Sequence, residues 1–363
     1  MKKEKIKIFS NFSIVSITVF LLVLTIYLVS TQTYQGADFV NEGLSHLLRG
    51  LLADATGIFD FSIFEILIIL SPVLVGFVIF LAVKSIKGRD SAMRFILNIV
   101  SVVLIFLSSH ILALGVGYKT TPIADRMELV EVTVDEQRLY EVASMLRDEI
   151  NDYAEVVNRN SDGVFESGYT YSQIGDLINA SYGDLTKIYD VPPTHNGKAK
   201  PIKNGWAMSY LGITGIYTGL TGEANVNTSY PEYVTIFTAA HEMCHQRGIL
   251  RENEANFVAY LVTSTSDDVS LRYSGALNMF SYITSALYKT DKEGYYELWN
   301  SLSDEAKADY RASSEVSKKY GDTVFEKISE WVNNLYLQGS GDQGTVSYSK
   351  VVELALAYYE AKK

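Results

Sequence analysis

The chain has 363 residues, enough for one or two domains, with 48% apolar residues, 20% charged residues and a net charge of −11. The charge is uneven: residues 1–118 carry nine Lys/Arg against seven Asp/Glu, so the acid is concentrated in the remaining two thirds. An acidic, Tyr-rich segment of that size argues against nucleic acid as a partner, and a single cysteine, Cys244, excludes an internal disulfide.

The first third reads as membrane, with the lipid bilayer as its partner. After Lys2-Lys3-Glu4-Lys5-Ile6-Lys7, residues 12–30 hold no charge and are long enough to span a bilayer. A cleaved signal peptide is the alternative, but no small-x-small site follows, and two further apolar runs come at 63–83 and 95–117. The short basic loop at 84–94 and the basic N-terminus both belong in the cytoplasm by the positive-inside rule. Three spans then place residues 119–363 on the extracytoplasmic side. Between the first two spans, residues 43–52 are amphipathic enough to lie on the membrane surface. Pro72 is expected to kink the second span without breaking it. Glu65 and His110 are the ionisable residues of the spans. Glu65 fits an interfacial position, and His110 either hydrogen-bonds within a helix pair beside Ser108 and Ser109 or has a functional role.

In the soluble part, Asp135 opens a helix with Leu139, Val142, Leu146, Ile150 and Tyr153 as its apolar stripe, and a second helix covers 171–189. Residues 191–201 read as an exposed loop carrying a solvated His195. From 207 to 227 the helical pattern breaks. Residues 210–219 are Gly-interrupted extended chain, and 223–227 form a short strand. An edge strand there can pair with a substrate backbone, with Asn225 and Asn227 on one face holding substrate amides; a small structural hairpin is the alternative. Leu271-Arg272-Tyr273-Ser274-Gly275 leads into an aromatic-rich helix ending near Tyr288. Arg272 or Tyr273 could stabilise an oxyanion, or serve only in packing. Residues 293–363 read as helical and polar-faced, with a flexible turn at 339–344 and no chemistry.

The chemistry concentrates in Thr238-Ala-Ala-His241-Glu242-Met-Cys-His245-Gln-Arg-Gly248. Two His at i and i+4 share a helix face and can reach one metal ion, while Glu242 can contact a water on that ion. Zinc lowers the pKa of such a water, and the carboxylate takes its proton as it attacks a carbonyl. Gly248 supplies an αL stop just after the second His. Cys244 lies off the face shared by the His pair and packs as a small apolar residue. A third ligand is required. Position 251, where a third His would stand in one class of zinc enzyme, is Arg251, so a carboxylate must serve: Glu252 or Glu254. Glu252 is favoured, because Asn256 on its face could orient a ligand His, while the short turn after Gly248 keeps Glu254 open. The bland alternative for each acid is a first-turn residue favouring the helix dipole.

With these residues in hand, the chain resembles the bacterial membrane proteins grouped as domain-of-unknown-function family 3810. The likeness rests on Gly115-Val-Gly-Tyr-Lys119, Gly222-Glu-Ala-Asn-Val-Asn227, Ala240-His-Glu-Met-Cys-His-Gln-Arg-Gly248, Glu252-Asn-Glu-Ala-Asn-Phe257 and Arg272-Tyr-Ser-Gly275. Glu252-x-x-Ala-Asn256 also looks like the element by which gluzincins complete their zinc site, with Asn256 in place of the usual acid. The resemblance implies a mostly α, zincin-like extracytoplasmic domain (119–363) with a small edge sheet, anchored by a three-helix membrane domain (1–118) in a bacterial cell membrane. It further implies a zinc metallopeptidase acting on a peptide or protein. The rivals are a non-catalytic scaffold or receptor with a structural metal, and a zinc hydrolase of lipid or cell-wall bonds.

Overall fold

A computed structural model describes residues 9–86, 88–340 and 347–363. The basic N-terminus and most of the turn expected at 339–344 lie outside the described residues. Three helices are long and apolar enough to cross a membrane: α1 (Asn11–Ser30), α4 (Ile63–Ser85) and α5 (Arg89–Ala113). α4 runs through Pro72 and buries none of its side chains against protein, so lipid is the only solvent that suits its surface. α5 begins six residues before the apolar run because Asp90 favours its first turn. It ends at Ala113, before a 3₁₀ turn at Gly115–Lys119.

Between α1 and α4 the chain forms α2 (Tyr34–Val40), a π-helical turn (Asn41–Ser45) and α3 (His46–Gly57). This stretch is inverted relative to a soluble helix: Leu44, Leu47 and Leu51 are exposed, while Asn41, Ser45 and Arg49 are buried. The apolar face suits the membrane surface expected of it. The polar face is packed into the soluble part. Arg49 donates to Asn41 Oδ1 (3.0 Å) and Asn41 O (2.8 Å), to Ala113 O at the end of α5 (3.3 Å) and to Arg247 O (3.3 Å).

The soluble part continues as α6 (Ile123–Arg126), α7 (Glu136–Ala154), α8 (Tyr171–Ile188), β1 (Ala199–Ile202), α9 (Trp206–Ser209), β2 (Gly215–Thr218) and β3 (Glu223–Asn227). Then follow α10 (Glu232–Arg247), α11 (Glu252–Ser264), α12 (Val269–Thr290), α13 (Lys292–Asn300), α14 (Asp304–Tyr320), α15 (Val324–Ser340) and α16 (Ser347–Ala361). Asp135 caps α7 as expected, and Leu139, Val142, Leu146 and Ile150 are buried in a single core with α10, α11 and α12. The last stretch is not uniformly polar-faced. α16 buries Val351, Val352, Ala355 and Leu356 in that core, and α15 carries an exposed apolar stripe.

The sheet has the order β1-β3-β2, with β1 parallel and β2 antiparallel to β3. The strand at 223–227 is therefore central, and the edge strands are β1 and β2. The sheet stands directly on the spans. The buried Glu223 carboxylate accepts from the Ile63 and Phe64 amides (2.9 and 2.8 Å), capping α4, and pairs with Lys200 Nζ at 2.8 Å. Glu65 accepts from the Lys203 and Asn204 amides (3.2 and 2.8 Å), and Ser109 Oγ of α5 donates to Gly219 O (3.2 Å). Glu65 is thus an interfacial tie. His110 sits between the rings of Phe106 and Tyr336, with no side-chain hydrogen bond to Ser108 or Ser109 among the described residues.

Replacing Arg49 by Met should strand several buried acceptors. A loss of roughly 3 kcal/mol or more is expected as a lower unfolding midpoint in detergent; an unchanged midpoint would show that these bonds do not hold the fold.

Candidate metal centre

α10 is almost wholly buried, as a helix of Ile236, Phe237, Ala239, Ala240 and Met243 must be. It stops at Gly248, whose φ of 98° is left-handed and whose added Cβ would lie 2.4 Å from Arg49 Nη2 and 2.7 Å from Asn41 Oδ1. Only glycine meets both demands. The turn folds Ile249 back so that its carbonyl accepts from His245 Nδ1 at 2.8 Å. With a proton fixed on Nδ1, Nε2 is the ring atom that faces the site and the one from which a metal would displace a proton. The same turn returns the chain as α11, whose first residue is Glu252.

Glu252 lies between the two imidazoles: Oε2 is 3.3 Å from His241 Nε2 and Oε1 is 3.5 Å from His245 Nε2. One potential ligand atom from each of the three residues falls within 4.8 Å of the others. Tetrahedral zinc, with bonds of about 2.0–2.2 Å, needs donors roughly 3.3 Å apart. The nitrogen, nitrogen and oxygen set fits that ion, and His241, His245 and Glu252 would hold it with a fourth position left for water.

The competing acid is turned away. Glu254 is buried, accepts from the Ile123 amide at 3.1 Å and pairs with Arg251 Nη1 at 2.9 Å. Arg251, in the position of a third His, also holds the Thr120 carbonyl at 2.6 Å. Asn256 shares the Glu252 face and is half-buried, but the Ile249 carbonyl, not its amide, orients His245. His241 Nδ1 is buried without a hydrogen-bond partner among the described residues. Backbone geometry at a left-handed turn took the orienting role, and residue spacing does not report it.

Glu242 is buried beneath β2. An added Cβ at Gly215 would lie 2.6 Å from Glu242 Oε1 and 2.4 Å from Thr238 Cγ2, so glycine lets the edge strand pass directly over the carboxylate. Burial raises the Glu242 pKa; His241 and His245 pull it back, Glu252 adds to the rise, and the outcome stays above the usual value. Burial alone would lower the His245 pKa, but the Glu252 carboxylate overrides it and lifts it to about 9. Burial likewise opposes ionisation of Glu252, and the two imidazoles outweigh it, holding that carboxyl well below its ordinary range.

The remaining residues singled out in the sequence lie elsewhere. Asn225 and Asn227 are buried on the central strand. Asn225 Nδ2 donates to Glu223 O (3.1 Å), and Asn227 Nδ2 donates to Ser209 Oγ (2.9 Å) and Ile213 O (3.0 Å). Both are fully buried and brace the sheet from its central strand. Tyr273 is buried, donating to Asp309 Oδ2 at 2.6 Å and accepting from Arg159 at 3.1 Å. Arg272 stacks 5.4 Å over the Tyr153 ring. Both belong to the core side of α12. His195 is not solvated: Nε2 donates to Gln246 O at 3.0 Å, Nδ1 accepts from the Gly197 amide at 2.9 Å, and burial beside Arg247 lowers its pKa to about 3. Cys244 is a buried free thiol, as expected. A phenol near the cluster is that of Tyr336 of α15, packed edge-on to Tyr118; burial and, more weakly, the Glu252 charge raise its pKa. Nothing in the pattern around Tyr336 marks it.

Fold and site together define a membrane-anchored, mostly helical protein with a His-His-Glu cluster on two helices joined by a left-handed glycine. The chain belongs to the family described as "Protein of unknown function (DUF3810)", whose model matches residues 40–356. No curated protein and no solved structure matches the chain.

Metal content of detergent-purified protein should be about one zinc per chain, as expected of a single three-ligand site. His245→Ala and Glu252→Ala should lose it, whereas Glu254→Gln should keep it and melt earlier. Because metal must displace the proton that Glu252 holds on His245, zinc affinity should rise with pH up to about 9. A pH-independent affinity by calorimetry would contradict that linkage.

Proposed function

We propose that the protein is a zinc-dependent peptidase working at the extracytoplasmic face of the membrane. The observation that carries this reading is the convergence of His241, His245 and Glu252 beside Glu242, directly under the edge strand β2. Zinc held by those three residues would supply a Lewis acid and acidify a water. Glu242, with its raised pKa, would accept the proton of that water and return it to the departing amine. The outer edge of β2 takes up an extended substrate backbone by β-augmentation, and Gly215 brings that backbone close to Glu242. An edge strand suits a polypeptide better than a lipid or a saccharide. The orientation is supported by Lys84, Arg89 and Arg94 flanking the short α4–α5 connection, which puts the opposite ends of these spans, and the sheet on them, outside.

Glu242→Gln should keep the metal while cutting turnover of an unstructured protein such as casein by about 10²-fold or more. Retained turnover would remove Glu242 from the mechanism, and a structural-metal scaffold would be indifferent to the change. In the wild type, activity should fall on the acid side with an apparent pKa above that of an ordinary glutamate, since the base must be ionised to work. A C-terminal reporter active only in the cytoplasm should be silent; signal from it would reverse the orientation.

A further inference from the structure

Helix α15 is built inside out. Val324, Phe325, Ile328, Trp331, Val332 and Leu335 recur at helical spacing and face outward, with Val324 70% and Trp331 63% exposed. Its inward side is largely polar. Glu326 lies against Gly212, Thr323 just before the helix donates to Tyr210 O at 2.9 Å, and Leu337 is the one buried apolar side chain, against Tyr118 and Leu250. A helix facing water would be arranged the other way round.

The position of α15 says what covers the stripe. Its C-terminal turn packs Tyr336 edge-on to His110 at 5.8 Å, and His110 stacks on Phe106 at 6.2 Å. His110 is one turn inside the end of α5 at Ala113, and Phe106 is exposed on the face that span offers to lipid. The apolar surface of the span therefore continues onto α15 at the level where α5 leaves the hydrocarbon. The inverted α2–α3 stretch reaches the same level, through the bond from Arg49 to Ala113 O.

We propose that α15 is an interfacial membrane helix, its apolar stripe sunk into the outer boundary of the bilayer about 5–10 Å deep, as for other in-plane amphipathic helices. The partner is the lipid surface itself. The consequence is that the His241, His245 and Glu252 cluster opens beside a membrane-bound helix, not into free solution. The inference is independent of whether the site cleaves peptides.

The chain has three Trp residues, which makes the test direct. Full-length protein carrying Trp206→Phe and Trp299→Phe keeps Trp331 alone; it is reconstituted in phosphatidylcholine bilayers with or without brominated acyl chains. Roughly twofold loss of Trp331 emission to brominated lipid, with protection from aqueous acrylamide, is expected at interfacial depth. A companion carrying Trp206→Phe and Trp331→Phe reports Trp299, which lies against Tyr295 and Tyr310 in the soluble part and should ignore the brominated lipid. In the Trp331 protein, adding Ile328→Glu and Leu335→Glu should release Trp331 to acrylamide. The same two changes in the companion should leave Trp299 emission unaltered, separating loss of lipid contact from loss of fold. Trp331 open to acrylamide and insensitive to brominated lipid overturns the proposal. Trp331 shielded from both quenchers overturns it too, because a protein surface would then occupy the stripe.

Discussion

The arrangement depends on one buried guanidinium. Arg49 reaches from the stretch after the first span to the end of α10, donating to the Arg247 carbonyl, while Asn41 Nδ2 donates to the Gly248 carbonyl at 3.2 Å. A cation at a helix C-terminus also meets the negative end of the helix dipole. Those carbonyls belong to the turn that aims His245 and brings back Glu252. Gly248 is constrained by its left-handed backbone and, equally, by the Arg49 side chain lying where its Cβ would be. Burial is costly for the charge and lowers the Arg49 pKa to about 10, so the guanidinium persists only because its hydrogen bonds are largely satisfied.

That interaction bears on how the chain divides. A membrane domain ending at 118 and a separate soluble domain is the natural reading of a hydropathy pattern. The contacts blur it. Glu223 on the central strand caps the first turn of α4, Lys200 joins it, and Gly219 is held by Ser109 of α5. The family match begins at residue 40, at the end of α2, so it takes in Asn41 and Arg49 with the cluster and leaves α1 outside. The spans shape the sheet as well as tethering it.

What the sequence made legible was local and periodic. The spans, the α7 stripe with its Asp135 cap, the His pair on one helix face and the stop at Gly248 all follow from spacing and residue type. What it hid depended on tertiary partners. Glu252 and Glu254 are the same residue type two positions apart, and it is the Ile123 amide and Arg251, brought together by the fold, that hold Glu254 elsewhere. Asn225 and Asn227 read as an exposed face because strand order cannot be seen in one strand. Tyr273 is drawn away by Asp309, a single buried acid in an otherwise polar helix. The α15 stripe lies in a stretch that reads as polar-faced, and spacing alone does not say which side of such a helix meets protein.

The short edge strand also acts as a ruler. From Gly215, beside Glu242, β2 runs three residue steps, about 10 Å of extended chain, to Thr218, and the next residue, Gly219, is fixed on α5. If a polypeptide pairs with that edge, the bond it presents to Glu242 stands a set distance above the point where α5 enters the bilayer. Selectivity would then come from how far a target segment extends from the membrane before it folds, more than from the identity of its side chains. A segment too short to climb that distance, or already folded within it, would be spared whatever its composition.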